Sequence, residues 1–152
     1  MKIYRIAKAN YIADLSGEGA RLYGGRWNKA GHSVLYFSSS LALSVLELLV
    51  HLDYKFINKN FRYVEVNLPD NLIIPKVETK VLSTDWRESP PPAFTQNYGT
   101  DWLTSRKSLV LSVPSAVLPS EHNILLNPSH KDFKLVKVTK SAVLDLDTRV
   151  FK

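Results

Sequence analysis

Five of the six glycines in this 152-residue chain fall between residues 14 and 31, in the run DLSGEGARLYGGRWNKAG. Glycine adopts positive φ freely and lets other groups approach the backbone closely. So dense a cluster predicts irregular backbone, with tight turns or close ligand approach, rather than a regular helix or strand. Any fold must therefore be built around a long irregular segment near the N-terminus. At its heart stands GGRWN, residues 24–28, which puts the guanidinium of Arg26 beside the indole of Trp27. A guanidinium offers a planar donor fork that fits phosphate oxygens; the plainer reading is a structural turn with a surface arginine. The spacing is neither that of a P-loop nor that of a Rossmann fingerprint.

Short elements surround this segment. Residues 2–7 (KIYRIA) read as a strand carrying Arg5, and 34–37 (VLYF) as a buried strand carrying Tyr36. Ser38 to Ser40 offer a helix N-cap, and 41–52 place apolar residues at 41, 45, 48, 49 and 52, the pattern of an amphipathic helix. Residues 62–68 alternate like a half-buried strand. Pro90–Pro92 make a break, 101–105 a helical turn, and 109–113 a strand stopping at Pro114. Further strands are predicted at 123–126, 134–139 and 142–146. The sum is an α+β chain of many short strands and few helices, forming one domain over residues 1–152.

Composition narrows the chemistry. With no cysteine, disulfides, Cys-ligated metals and thiol nucleophiles are excluded, which suits a reducing, cytoplasmic compartment. Twenty Lys and Arg against 14 Asp and Glu give a formal charge of +6, compatible with nucleic acid, an acidic partner or a phosphorylated ligand. No secretory leader or membrane span is predicted. His32, His51, His122 and His130 lack a metal-ligand spacing, so no metal is expected.

Glu47 sits among leucines on the predicted helix, either on its solvated face or in a partly desolvated site. Ser44, Glu47 and His51 share one helix face. Ser115 follows the strand that Pro114 ends, where a hydroxyl forms a turn or meets a ligand; no GxSxG elbow surrounds it.

Taken together, YRIA at 4–7, GARLYGGRWNKAG at 19–31, VLYFSSSLALSVLELLVH at 34–51, YGTDWL at 98–103 and VPSAVLPSEHNILLNPSHKDF at 113–133 resemble the RES domain. That family comprises the toxin halves of bacterial toxin–antitoxin pairs and is named for an Arg, a Glu and a Ser. These map onto Arg26, Glu47 and Ser115, with Ser112, Ser105 and Ser108 as neighbouring alternatives for the serine. Arg5 and Tyr36 match further pocket positions.

The resemblance implies an ADP-ribosyltransferase-like fold, two small mixed β-sheets around a cleft with flanking helices. It implies an enzyme that takes NAD+ as substrate and degrades it, by hydrolysis or phosphorolysis, or that transfers ADP-ribose to a protein. Arg26, Glu47 and Ser115 would be catalytic, and Arg5, Tyr36 and Arg26 would bind NAD+. The implied partner is a helix-turn-helix antitoxin of the Xre type, with a homodimer or a toxin–antitoxin hetero-oligomer as the assembly. Two rivals remain at this level. A basic ribonuclease toxin is permitted by the charge and three tryptophans, although no nucleic-acid-binding motif is present. A binding-only domain would have kept the fold without the chemistry.

Overall fold

The computed structural model describes residues 1–57 and 60–151. The regular elements run β1 (Lys2–Lys8), α1 (Glu18–Tyr23), β2 (Leu35–Ser38), α2 (Leu41–His51), β3 (Phe61–Asn67), α3 (Ala93–Ser105), β4 (Val110–Pro114), β5 (His122–Leu126) and β6 (Lys137–Val143), with short 3-10 turns between them. The strands form one six-stranded sheet in the order β4-β5-β2-β1-β3-β6. Every ladder in it is antiparallel.

The two small mixed sheets expected from the sequence are thus continuous and antiparallel, yet the division is visible. β4-β5-β2 form one half and β1-β3-β6 the other. Within the halves, β1 and β3 pair over their full length, as do β2 and β5. Between the halves, β1 and β2 share a single registered pair, Tyr4 with Ser38. The junction therefore rests on that one registered pair and on α2, which packs against both β1 and β2.

Alternation along the strands builds two cores. Ile3, Leu35, Phe37, Val64, Val66, Val110, Ile124 and Leu126 face one side. Leu111, Val113 and Leu125 face the other, where they meet Trp27, Trp102 and Leu103. α2 begins where Ser40 caps the helix, its side chain accepting the Leu43 N–H. Ser44, buried on the same helix, donates to the Tyr4 carbonyl at 3.2 Å and so ties α2 to β1.

Three expectations change. Residues 101–105 are the last turn of α3, thirteen residues long, which starts directly after Pro92. Residues 134–139 and 142–146 resolve into a 3-10 turn, Lys131–Leu135, and the single strand β6. A short helix, α1, lies inside the glycine-rich run. No helix among the described residues is long and apolar enough to cross a membrane.

Candidate active site

The glycine-rich segment is held by residues 96–100 of α3. Gln96 Nε2 donates to the Gly25 carbonyl at 3.1 Å, and Thr100 Oγ1 accepts the Lys29 N–H at 3.0 Å. Between them Gly99 lies against Trp27 so closely that a Cβ there would sit 1.8 Å from the Trp27 carbonyl oxygen. Tyr98 adds an edge-on contact with the Trp27 ring. Inside the turn, Asn28 is fully buried and donates to the Ala20 and His32 carbonyls at 2.8 and 3.1 Å.

Tyr36 locks this turn to the sheet. Its hydroxyl donates to Asn28 Oδ1 at 2.7 Å and accepts the Trp27 N–H at 3.0 Å. Gly25 must lack a side chain, because a Cβ would fall 2.7 Å from that hydroxyl. Burial pushes the Tyr36 hydroxyl far above the usual tyrosine range; the Trp27 N–H and Arg26 pull the other way more weakly.

The sheet register brings the rest together. Tyr36 lies opposite Leu125 and Ser38 opposite Asn123, and Asn123 in turn lies opposite Val113. Tyr36, Ser38 and Asn123 therefore share one face. Glu47 reaches them from α2, and its Oε1 accepts two hydrogen bonds, from Asn123 Nδ2 at 2.6 Å and from Ser115 Oγ at 2.7 Å. Ser38 Oγ donates to Asn123 Oδ1 at 2.9 Å, which fixes the direction in which the amide points. Glu47 Oε2 has no hydrogen bond among the described residues.

Ser115 is fully buried, and its hydroxyl is saturated. It donates to Glu47 and accepts the N–H groups of Val117 and Leu118, both at 3.1 Å. In this arrangement it orients the carboxylate and has no donor left for a ligand. The alternative serines do other work. Ser112 alternates to the opposite face, Ser105 Oγ donates to the Trp102 carbonyl, and Ser108 links Trp102 Nε1 to the Val110 carbonyl.

Arg26 lies in the same neighbourhood. Its Nη1 donates to the Trp86 and Glu88 carbonyls at 2.6 and 2.9 Å. Burial lowers its pKa, Glu47 and Tyr36 oppose that, and Arg87 reinforces it; the group stays charged at any ordinary pH. The half-buried Glu47 is thus inside the site rather than on a solvated helix face.

Arg5 is placed differently. It alternates onto the face of Ile3 and Ala7, and its Nη1 donates to the Ile12 and Asp14 carbonyls, both at 3.2 Å. Burial lowers its pKa and Asp14 raises it. His51 is exposed at the end of α2. No group of three or more His, Cys, Asp or Glu among the described residues could hold a metal ion. Open grooves of about 430 and 490 Å³ lie beside α2 and β6 and beside His32 and Arg106; neither is lined by Arg26, Tyr36, Glu47 or Ser115.

Asn123, Ser38, Asn28 and the Trp86–Glu88 carbonyls are the members of the site that sequence reasoning missed. Asn123 left a signal, since a polar amide next to the apolar run ILL asks for a partner on the tyrosine face.

The RES domain family profile matches residues 2–148. A Yersinia enterocolitica protein named Toxin Res is 42% identical over 135 residues, 88% of each chain. A Photorhabdus laumondii Toxin Res is 37% identical over 155 residues, covering 100% of this chain and 98% of its own. A Sphingobium protein named Prs ADP-ribosylating toxin is 37% identical over 141 residues, 91% of this chain and 88% of its own. In fold, the chain resembles one from the crystal structure of the M. tuberculosis MbcT–MbcA toxin–antitoxin complex, with a TM-score of 0.77 at 20% identity over 94% of this chain and 83% of that one. A chain that fits the RES profile almost end to end, and that shares more than a third of its residues with several toxins, belongs to the RES domain family and stands among its Res toxins.

Proposed function

We propose that this chain, acting as a single domain, is the toxin of a toxin–antitoxin pair and that it cleaves the nicotinamide–ribose bond of NAD+. The observation that carries the reading is Glu47. One carboxylate oxygen is pinned by Asn123 and Ser115, and the other is open, with the Arg26 guanidinium nearby.

Cleavage of this bond expels neutral nicotinamide and builds positive charge on the ribose, as in other glycosyl transfers. The leaving group is already cationic, so no strong general acid is needed. A fixed carboxylate contributes where the charge develops, at no cost of reorganisation. Glu47 Oε2 supplies that charge and can accept a ribose hydroxyl. Arg26, held by two carbonyls through Nη1, keeps Nη2 and Nε for a phosphate. Tyr36 offers a ring face to the nicotinamide while its hydroxyl holds the turn. Ser115 acts through Glu47. Arg5, on the opposite face of the sheet and bonded to the Ile12 and Asp14 carbonyls, takes no part in this scheme.

The ADP-ribosyl group passes to water or phosphate. A protein acceptor is the second reading, favoured by the name of the Sphingobium relative. The partner is a helix-turn-helix antitoxin of the Xre type whose acidic or carboxylate-bearing segment covers the cationic site in the cytoplasm.

Purified protein incubated with NAD+ should release nicotinamide. Mass spectrometry of the products, with and without phosphate and cell lysate, identifies the acceptor. Expression without antitoxin should deplete NAD+ and stop growth. Growth arrest with NAD+ intact and RNA fragmented would replace this reading with the ribonuclease one.

A further inference from the structure

We infer that Arg87 is a second guanidinium of this site, converging with Arg26 on the two phosphates of one diphosphate ligand. The inference rests on the NAD+ reading for its biological substrate, although its geometry stands alone.

The loop that carries Trp86 and Glu88 crosses the candidate site. The two carbonyls that hold Arg26 Nη1 belong to Trp86 and Glu88, the neighbours of Arg87 on either side. The head group of Arg26 is therefore fastened to the backbone that carries Arg87. The Arg87 side chain is exposed, and its Nε donates to the Ala116 carbonyl at 2.9 Å. Ala116 follows Ser115, whose hydroxyl bonds Glu47. A continuous path results, from Glu47 through Ser115 and Ala116 to Arg87, and from Arg87 through its own backbone to Arg26.

Two like charges are thus brought within range of each other, with the Glu47 carboxylate as the counter-charge that Arg26 feels more strongly than it feels Arg87. Neither guanidinium forms an ion pair among the described residues. Arg87 Nη1 and Nη2 have no hydrogen bond among them either. One guanidinium fork satisfies one phosphate. Two adjacent forks, both with free donors, suit two phosphates joined through one oxygen.

The test uses ADP-ribose, which has the diphosphate but no nicotinamide bond, and ribose 5-phosphate, which has one phosphate. Both are titrated calorimetrically into the wild-type chain, Arg87→Gln and Arg87→Lys, with thermal melts to show that each variant is folded. Arg87→Gln should weaken ADP-ribose about ten- to hundredfold, the range for a lost charged hydrogen bond, and ribose 5-phosphate much less. Arg87→Lys, which keeps the charge and loses the bond to Ala116, should fall between wild type and Gln. Equal losses for Lys and Gln, or for both ligands, would reduce Arg87 to a strap for its own loop. Unchanged ADP-ribose affinity in Arg87→Gln, or no ADP-ribose binding by wild type, overturns the inference. Wild type that binds ADP-ribose in the expected way yet leaves NAD+ intact would sink the catalytic reading and leave the diphosphate site standing.

Discussion

Replacing Glu47 by glutamine separates charge from shape at the centre of the site. The amide is isosteric with the carboxylate. With its oxygen turned toward Asn123 and Ser115, both hydrogen bonds to that atom survive, formerly at 2.6 and 2.7 Å. The amide nitrogen then occupies the position of Oε2. An acceptor becomes a donor there, and the negative charge is gone. Removing one preorganised electrostatic group costs about 10²–10³ in kcat, or roughly 3–4 kcal/mol of transition-state stabilisation. The stability effect should be smaller. Two charge-assisted bonds become neutral, each weaker by up to about 1 kcal/mol, and relief of a half-buried charge offsets part of that. The expected fall in Tm is about 2–4 °C per kcal/mol in a domain of this size. Nicotinamide release at saturating NAD+ gives kcat, and calorimetry with ADP-ribose shows whether the site still binds. A folded Glu47→Gln variant with kcat within about threefold of wild type would refute the argument, because the charge would then do nothing at the transition state.

Arg26→Lys keeps the charge but cannot bond two carbonyls and a phosphate fork at once, so NAD+ affinity measured on a Glu47→Gln background should fall about tenfold or more; unchanged affinity would return Arg26 to a structural role. Tyr36→Phe should cost about 1–3 kcal/mol, since it strands the Trp27 N–H and Asn28 Oδ1, as read by urea unfolding. The hydroxyl's folded pKa is raised by burial, so its contribution is complete below the unfolded tyrosine pKa of about 10 and declines as pH rises above it. Melts from pH 8 to 11 should thus show a steeper alkaline loss in wild type than in Tyr36→Phe. Gly99→Ala should abolish packing of α3 on the glycine-rich turn, because a 1.8 Å approach to a backbone oxygen has no side-chain remedy; a fully cooperative melt at the wild-type Tm would contradict this.

The elements that the sequence made legible are those whose faces are cleanly divided. β3 announces itself by alternation and α2 by the 3.6-residue repeat, with Ser40 as its cap, while β1, β2 and β5 read as short strands without that alternation. α3 was seen only at its end because AFTQNYGTDWLTS contains Gly, Asn and three Thr, has a weak apolar stripe and lacks a side-chain N-cap. Its stability comes from contacts to the turn at 25–29, which no local pattern reveals. β6 is almost wholly exposed, so alternation could not define its limits. In the site, Arg26, Tyr36, Glu47 and Ser115 were found through family resemblance, and the structure brings these four together. Asn123 and Ser38 were missed because their meeting depends on the register of β2 against β5, and the role of Trp86 to Glu88 depends on where a loop crosses.

The single pair joining β1 to β2 bears on how the molecule breathes. Rotating one half-sheet against the other sacrifices few backbone hydrogen bonds and leaves the full ladders on both sides untouched. What resists the rotation is the Ser44 hydroxyl on the Tyr4 carbonyl and the packing of α2 over the junction. Opening at this seam is a sub-global event, separable from unfolding of either half. Amide hydrogens of Leu35 to Phe37, deep in the β2–β5 ladder, should exchange near the global limit. Those at Tyr4 and Ser38 should exchange much sooner, and a ligand touching both α2 and the glycine-rich turn should slow them without altering the rest of the sheet.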